Sequence, residues 1–225
     1  MSARTGRAKD TVCIYSGGMD SYTLVGMTRE EGRLHSCLSF DYGQRHAKEL
    51  EYARENCAVW GIPHRVINLE SLAPCLAGSA LTMGAELPEG HYADDNMKLT
   101  VVPNRNMIML SIAIAYAISN KLEEVRYGAH SGDHTIYPDC RPEFVHAMSN
   151  VAQLCDWWSV VVDAPFINLD KARILLIGHQ IGLDYSRSWT CYAGREKACG
   201  KCGSCQERLE GFATIGRTDP LEYEA

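Results

Sequence analysis

One short stretch near the start of the chain constrains the fold more than any other. The run from Ser16 to Ser21 reads SGGMDS, follows a short β-type apolar run and precedes a helical pattern. A strand, a tight glycine turn and a helix start bring backbone N–H groups and a positive helix end against phosphate oxygens. Gly17 and Gly18 let the backbone approach such a ligand closely, because glycine has no Cβ. The run therefore predicts a nucleotide-phosphate site, whereas a bare SGG would fit an ordinary turn equally well.

The same run offers polar groups for ATP. Two serine hydroxyls add donors, and the Asp20 carboxylate is suited to hold Mg²⁺ on a nucleotide. No Gly-Lys-Ser/Thr follows, so the loop is not of the Walker A type. The candidate ATP-binding residues here are Tyr15, Ser16, Gly17, Gly18, Met19, Asp20, Ser21 and Tyr22.

The composition is that of an acidic globular protein. The chain has 225 residues, of which 46% are hydrophobic, and a formal net charge of −6. This charge argues against strong nucleic-acid binding, which needs a basic face. Residues 1–10 are polar, unlike a signal peptide, and the most apolar stretch, 107–119, is shorter than the about 20 residues that cross a bilayer. We therefore expect a cytoplasmic protein without membrane contact, in which 107–119 is a buried helix.

Short apolar runs alternate with helical patterns along the chain. The predicted strands cover 11–15, 35–40, 64–69, 124–128 and 159–165. The predicted helices cover 22–31, 47–60, 104–121, 142–158, 170–181 and 206–215, with Trp157 and Trp158 expected to pack in the core. This alternation predicts an α/β fold with a doubly wound, mainly parallel five-stranded sheet and ligands over the carboxyl ends of its strands. We expect residues 11–185 to form the ATP-binding and catalytic domain, and 186–220 a C-terminal metal-binding helical segment packed on it.

A polar run, DYGQRH, follows the second predicted strand. Asp41, Gln44 and Arg45 are candidates for ATP contacts, because neighbouring strand ends converge at the ligand crevice. Tyr42 is suited to stack on a flat ring and His46 to bind an anionic substrate group. The alternative is a simple loop at a strand end.

Two cationic residues lie at predicted helix starts, where anions bind favourably. Arg105 follows a loop in the sequence PNRN, and Lys171 begins the helix after Asp170. Lys171 would neutralise phosphate charge. For Arg105 the motif alone favours a capping asparagine beside a solvated arginine, and for Lys171 the alternative is an exposed lysine.

The loop DHTIYPDCRPEF is crowded with ionisable and aromatic groups. Asp133, Tyr137, Asp139 and Arg141 are its candidate substrate-binding residues. A carboxylate can accept both the N1–H and the exocyclic amine of a guanine-like ring. These residues could equally pin the loop to the rest of the protein.

Four of the ten cysteines lie within a segment of 15 residues. Cys191, Cys199, Cys202 and Cys205 have metal-ligand spacing, and four thiolates without a nearby histidine favour closed, structural zinc. An iron–sulfur cluster is the main competitor, and free or disulfide-paired cysteines are a third possibility. The other six cysteines are scattered, which is typical of a reducing compartment.

Taken in order, these segments resemble one family. SGGMDS, FDYGQRH, PNRN, YPDCRPEF, DKA and the terminal CxxCxxC, spread over about 12–220, resemble the 7-cyano-7-deazaguanine synthases among the PP-loop ATP pyrophosphatases. The resemblance implies an adenine nucleotide alpha hydrolase-like fold and a ligase that acts on 7-carboxy-7-deazaguanine, ATP and ammonia. It implies an adenylated carboxylate, displacement of AMP by ammonia to give an amide, and a second adenylation that leads to the nitrile. The four clustered cysteines match the family's zinc ligands.

The catalytic candidates are then Asp20, Ser21, Arg105 and Lys171, and a homodimer is expected. One departure from the family pattern is visible in the loop 133–144, which we call the substrate loop. Here Ile136 replaces a glycine and His134 replaces an aromatic residue. Three alternatives therefore stay open. The enzyme could stop at 7-amido-7-deazaguanine, supply a base for DNA, or be a PP-loop enzyme that modifies transfer RNA directly. A non-enzymatic nucleotide sensor is a further class.

Overall fold

The computed structural model describes residues 9–44, 48–81, 95–193 and 195–224, and the statements below concern these residues. Two of the predicted site residues, Arg45 and His46, lie outside the described part. Their roles remain predictions.

The sheet has five parallel strands in the order β3-β2-β1-β4-β5. They are β1 (Thr11–Ile14), β2 (Leu34–Asp41), β3 (His64–Asn68), β4 (Glu124–Arg126) and β5 (Val161–Asp163). From the central β1 the chain first builds outward through β2 and β3, and later returns to β1's other side with β4. The order therefore reverses between β1 and β4, and ligands bind at such a switch point in open α/β sheets.

The α-helices cover both faces of this sheet. They are α1 (Met19–Glu30), α2 (Lys48–Trp60), α3 (Arg105–Ser119), α4 (Pro142–Ala152), α5 (Lys171–Gln180) and α6 (Gly203–Thr214). Successive strand residues enter different cores: Val12 and Leu38 pack with α3 and α4, whereas Cys13 and Cys37 pack with α1, α2 and α5. A strand presents alternate side chains to opposite faces, so the sheet is buried on both sides. The predicted doubly wound α/β class is confirmed.

The fourth predicted helix ends earlier than expected. It ends at Ala152 rather than 158, and the Asp156 carboxylate accepts a hydrogen bond from the Trp158 amide at 2.9 Å. Aspartate in such a turn competes with continued helix. Trp158 is half-buried and donates its indole N–H to the Leu122 carbonyl, but Trp157 is fully exposed. The prediction that Trp157 packs in the core is wrong.

The apolar helix α3 packs against the sheet as predicted. Leu110 and Ile114 are buried in the core that also contains Val12 and Val125, although Met107 is 46% exposed, contrary to expectation. The helical stretch Met97–Ser119 has the length and composition of a membrane span. Its buried face is part of the protein core, and core helices commonly have such a composition.

Candidate active site

The SGGMDS loop lies at the carboxyl end of β1 and begins α1. Gly17 has a φ of +96°, and a Cβ there would overlap the backbone carbonyl oxygen of Glu49. Only glycine fits this position. Ser16 Oγ accepts a hydrogen bond from the Gly18 amide at 3.1 Å, and the Ser21 hydroxyl donates to the Gly18 carbonyl at 3.0 Å. These bonds hold the loop around the start of the helix.

One pocket at this edge of the sheet gathers most of the predicted site residues. They are Tyr15, Ser16, Gly18, Asp20, Ser21, Tyr42, Gln44, Arg105, Asp133, Tyr137 and Lys171. They come from the ends of β1 and β2, the starts of α1, α3 and α5, and the loop after β4. The structure therefore brings together in one pocket residues that lie between Tyr15 and Lys171 in the sequence.

A buried charged cluster lies beside the loop. The Lys171 ammonium, on the first residue of α5, contacts both Asp20 carboxylate oxygens at 2.8 and 2.7 Å. It also lies 3.0 Å from Glu207 Oε2 and 2.9 Å from His130 Nε2. Burial acts to lower the pKa of Lys171, but the carboxylates of Asp20 and Glu207 outweigh it and hold the pKa above its ordinary value. Lys171 is therefore a cation at neutral pH, suited to stabilise phosphate charge rather than to act as a base.

Arg105 brings a second cation to the pocket. It is the first residue of α3, preceded by Asn104 in the left-handed region at φ 58°. Its guanidinium donates to the Tyr42 hydroxyl at 3.2 Å and lies 6.0 Å from that ring's centroid. The side chain is thus half-buried and held against a pocket wall, rather than fully solvated as the motif alone favoured.

The four candidate residues of the substrate loop have two kinds of surroundings. Asp133 and Tyr137 line the pocket, and the Asp133 carboxylate also accepts from the His130 amide at 3.1 Å. Asp139 instead accepts from the Asn106 amide at 3.2 Å in the first turn of α3. Arg141 donates to the carbonyl of His134 on the surface. These last two contacts pin the loop to its surroundings.

Some predicted residues lie away from the pocket wall. Met19 and Tyr22 are buried in the apolar core, where Tyr22 stacks on Trp60 with ring centroids 5.3 Å apart. Asp41 Oδ1 accepts from the Gly43 amide at 3.2 Å. Three further predicted residues do not line the pocket: Gly17, Asp139 and Arg141.

The family departure at Ile136 is packed into the core. Its side chain is 3% exposed and belongs to the apolar cluster beneath the substrate loop. It therefore supports the loop from below rather than narrowing the pocket directly.

The four clustered cysteines converge as predicted. The sulfur atoms of Cys191, Cys199, Cys202 and Cys205 all lie within 4.8 Å of one another, and Cys199 Sγ and Cys205 Sγ are 4.0 Å apart. A tetrahedral ion with metal–sulfur bonds of about 2.3 Å needs sulfur atoms about 3.8 Å apart. The amides of Cys199 and Cys202 donate to neighbouring sulfurs at 3.3 and 3.4 Å, a contact that supports thiolate ligands. The donor set fits one closed, four-coordinate ion.

The cysteine segment also forms part of the pocket wall. Thr190, Tyr192, Ser204 and Glu207 line the pocket, and Glu207 follows the ligand Cys205 on α6. The cysteine segment therefore completes the pocket.

Three acidic or basic pocket residues were missed by the sequence reasoning. His130 follows β4, so its place at a strand end was an available signal. Glu49 and Glu207 lie on helices, and no local pattern tells which helix face will meet the pocket. Their positions depend on how α2 and α6 pack against the loop.

Known proteins resemble this chain over nearly its whole length. Residues 10–216 match the family described as Queuosine biosynthesis protein QueC. A 7-cyano-7-deazaguanine synthase from Alteromonas mediterranea is 54% identical over 217 residues, which cover 96% of this chain and 100% of the relative. The 7-cyano-7-deazaguanine synthase 1 of Colwellia psychrerythraea is 56% identical over 217 residues, with coverage of 96% and 100%.

Solved structures show the same fold at low identity. NMN synthetase from Francisella tularensis superposes with a TM-score of 0.55 at 14% identity, over 96% of this chain and 81% of that chain. A predicted subunit of a tRNA methyltransferase from Methanocaldococcus jannaschii gives a TM-score of 0.51 at 13% identity, over 96% and 92%. At such identity the likeness concerns the fold alone. The full-length relatives carry more weight, and with them this chain belongs to the QueC family of 7-cyano-7-deazaguanine synthases.

Proposed function

We propose that this protein converts 7-carboxy-7-deazaguanine and ammonia into 7-cyano-7-deazaguanine, with ATP cleaved to AMP and pyrophosphate. It is an ATP-dependent carbon–nitrogen ligase of queuosine biosynthesis. The observation that carries the proposal is the single pocket in which the SGGMDS loop faces the substrate loop and two cations, the buried Lys171 and the half-buried Arg105. Such a pocket suits a triphosphate bound beside a small heterocyclic acid.

The first step activates the substrate carboxylate. One of its oxygens attacks the α-phosphorus of ATP, and pyrophosphate leaves with the bond electrons. The amides and hydroxyls of the SGGMDS loop bind the phosphates, and the Lys171 ammonium neutralises the charge that develops on them. Ammonia then attacks the acyl carbon and AMP leaves, which gives the amide. A second adenylation, on the amide oxygen, permits loss of AMP and two protons to form the nitrile.

The remaining pocket residues serve recognition. Asp133 accepts hydrogens from the guanine-like edge, and Tyr42 and Tyr137 contact the ring. Arg105 offers a cation to the substrate carboxylate or to phosphate. Gln44 lines the same pocket and is assigned to ATP binding.

Two metal ions are part of the proposal. Structural Zn²⁺ is held by Cys191, Cys199, Cys202 and Cys205, whose close sulfur spacing suits one ion better than a multi-iron cluster. Mg²⁺ accompanies ATP, and Asp20 is its candidate ligand. Because both Asp20 oxygens contact Lys171, a magnesium ion would share this carboxylate with the lysine.

Three broader features complete the proposal. Residues 11–185 act as the catalytic domain and 186–220 as the zinc-binding segment packed on it. The protein acts in the cytoplasm, with no nucleic-acid partner. It forms a homodimer, supported by the large apolar side chains exposed just beyond the end of α4, Leu154 at 86% and Trp157 at 104%. A monomeric mass in sedimentation at micromolar protein would contradict the dimer.

The alternatives are not favoured. The similar relatives are named for the nitrile product, and the Ile136 departure lies in the core rather than on the pocket wall. Neither observation supports an enzyme that stops at the amide, supplies DNA, or acts on transfer RNA.

Pyrophosphate release tests the adenylation step. Asp20→Asn should lower release by at least a hundredfold, because it removes the charge that holds Lys171 beside the phosphates, while retaining the size of the side chain. Glu30→Gln, at an exposed position of the same helix, is the control and should keep its rate. ADP and orthophosphate as products would contradict the PP-loop assignment.

A further inference from the structure

Glu207 connects the cysteine segment to the lysine of the proposed phosphate site. It follows Cys205 by two residues on α6, and its side chain is 14% exposed. Its Oε2 lies 3.0 Å from the Lys171 Nζ, and its Oε1 lies 3.8 Å from His130 Nε2. The carboxyl therefore lies between α5 and the loop after β4, although it belongs to the C-terminal part of the chain.

A glycine on α6 lets this helix approach Lys171 closely. Gly211 follows Glu207 by four residues, so both lie on the same face of the helix. A Cβ on Gly211 would lie 2.9 Å from Lys171 Cγ and 3.0 Å from Leu175 Cδ1. The helix thus meets the lysine at two points, because Gly211 lies against its aliphatic part and Glu207 reaches its ammonium group.

The Lys171 ammonium has two anionic partners from different parts of the fold. Asp20, on the SGGMDS loop, contacts it with Oδ1 at 2.8 Å and Oδ2 at 2.7 Å, and Glu207 adds a third carboxylate oxygen at 3.0 Å. These three oxygens match the three N–H donors of an ammonium group. Burial raises the pKa of Glu207, but Lys171 opposes this shift, as expected for an ion pair. The lysine side chain is only 9% exposed, so it depends on these partners rather than on water.

Asp20 has a second role in the proposed reaction, and this role competes with the pairing. It is the candidate ligand of the magnesium that accompanies ATP, and both of its oxygens already contact Lys171. An oxygen that Asp20 gives to a divalent cation is lost to the lysine, and two cations that share one carboxylate repel each other. Glu207 is held on another element, so its contact with the lysine does not depend on Asp20.

We propose that Glu207 is a positioning residue that keeps the Lys171 ammonium beside the SGGMDS loop while Asp20 binds magnesium–ATP, an inference that rests on the proposed function. Without Glu207, Asp20 would have to serve both cations. The lysine is the group assigned to the phosphates, so Glu207 acts on the reaction through Lys171. The C-terminal cysteine segment thereby contributes to the ATP half of the site.

ATP binding with and without magnesium tests this role without requiring turnover. In EDTA, Glu207→Gln should bind ATP at least as well as the wild type, because Asp20 still pairs with Lys171 and one negative charge has left the pocket. With magnesium present, the wild type should bind ATP more tightly than in EDTA. This magnesium-dependent gain should be about ten- to a hundredfold smaller in Glu207→Gln, the range for loss of one hydrogen bond to a charged group. Calorimetric titration measures both affinities, and Glu210→Gln, at an exposed position of α6, is the control and should match the wild type.

A double-mutant cycle separates the holding of the lysine from direct binding of magnesium. In a Lys171→Gln background, the further change Glu207→Gln should leave the magnesium-dependent gain unchanged, because no ammonium remains to be held. A loss that persists in this background would show that Glu207 binds the ion itself or acts through its charge alone, and would overturn the proposal.

Kinetics gives an independent readout. Acid-dependent exchange of pyrophosphate into ATP should fall about ten- to a hundredfold in kcat for Glu207→Gln, while the KM for 7-carboxy-7-deazaguanine stays near that of the wild type. If Glu207→Gln does not fold, Glu207→Asp provides the same comparisons, because it keeps the charge but withdraws it from Lys171 by one methylene. An equal loss of ATP affinity with and without magnesium, or an unchanged kcat, would overturn the positioning role. A wild type that shows the magnesium-dependent difference from Glu207→Gln but makes no product from the acid would overturn the proposed function alone.

Discussion

At the residue scale, the two aspartates of the substrate loop have different surroundings. Asp133 lines the pocket, whereas Asp139 accepts from the Asn106 amide at the start of α3. The sequence placed both in one recognition loop. Asp133 is thus placed to contact a ligand, whereas Asp139 holds the start of a helix. The kinetics of variants at the two positions can distinguish these roles.

We expect Asp133→Asn to raise the KM for 7-carboxy-7-deazaguanine about ten- to a hundredfold and the KM for ATP much less. The loss of a charged acceptor for the heterocycle costs about 1–3 kcal/mol. The amide oxygen of asparagine can still accept from the His130 backbone, so the loop should keep its shape. Asp139→Ala should leave both KM values near wild type and lower the melting temperature by about 2–4 °C, because a helix-start acceptor is worth about 1 kcal/mol. The reverse pattern would move substrate recognition to Asp139.

Glu49 makes stability depend on pH. Burial raises its pKa from 4.5 to about 8, opposed by Arg105 and the Ser16 hydroxyl and aided by Asp20 and Cys191. Between these two values the folded state binds more protons than the unfolded state, so the free energy of unfolding decreases as pH rises. Glu49→Gln removes this dependence. As pH rises from 5 to 9, the free energy of unfolding of the variant should increase relative to that of the wild type by on the order of a few kcal/mol.

Melting curves of the ligand-free protein across that pH range measure this effect. The exposed Glu51→Gln variant should follow the wild type. Parallel pH profiles for the wild type and Glu49→Gln would show that the carboxyl is not held in its neutral form.

Residue identity was predictable where a local pattern carries the chemistry. The SGGMDS loop and the four cysteines could be found from the sequence, because backbone conformation and ligand spacing are encoded within a few residues. Glu49 could not be found, because its role depends on the rotation of α2 against the loop. Trp157 was misjudged for a related reason, since the helix ends at Ala152 and the ring beyond it is fully exposed.

At the scale of elements, α6 links the four-cysteine cluster to the active site. Its first turn carries Cys205 and, two residues later, Glu207, which reaches Lys171. Further along the helix, the fully buried Arg208 donates to both oxygens of Asp219 at 2.6 and 2.9 Å. A bidentate arginine–carboxylate pair fixes orientation strongly. The helix is therefore held at its start by the cysteines and in its middle by this pair.

We expect Cys202→Ser to lower the melting temperature by roughly 5–10 °C, since loss of a metal ligand destabilises the fold by about 2–4 kcal/mol. The Arg208 pair should still hold α6, so residual activity should follow the folded fraction rather than vanish. Cys75→Ser, at an exposed cysteine outside the cluster, should behave as wild type. Differential scanning calorimetry and elemental analysis give both quantities. Iron with visible absorption in anaerobically purified protein would contradict the zinc assignment.

At the scale of the whole molecule, the sequence predicted the fold class but not the order of the strands in the sheet. Alternating strands and helices predicted a parallel, doubly wound sheet, and the structure confirms it. The wall that Thr190, Tyr192 and Ser204 contribute could not be predicted, because no sequence pattern shows where a C-terminal segment folds back. The sheet thus explains the position of the pocket, and the cysteine segment explains how the pocket is closed on one side.

The proposed reaction is tested most directly by mass spectrometry of the products formed from 7-carboxy-7-deazaguanine, ATP and ammonium. We expect 7-cyano-7-deazaguanine together with AMP and pyrophosphate, with 7-amido-7-deazaguanine rising and then falling as an intermediate. Accumulation of the amide without nitrile, or unchanged acid in the presence of ATP and ammonium, would contradict it.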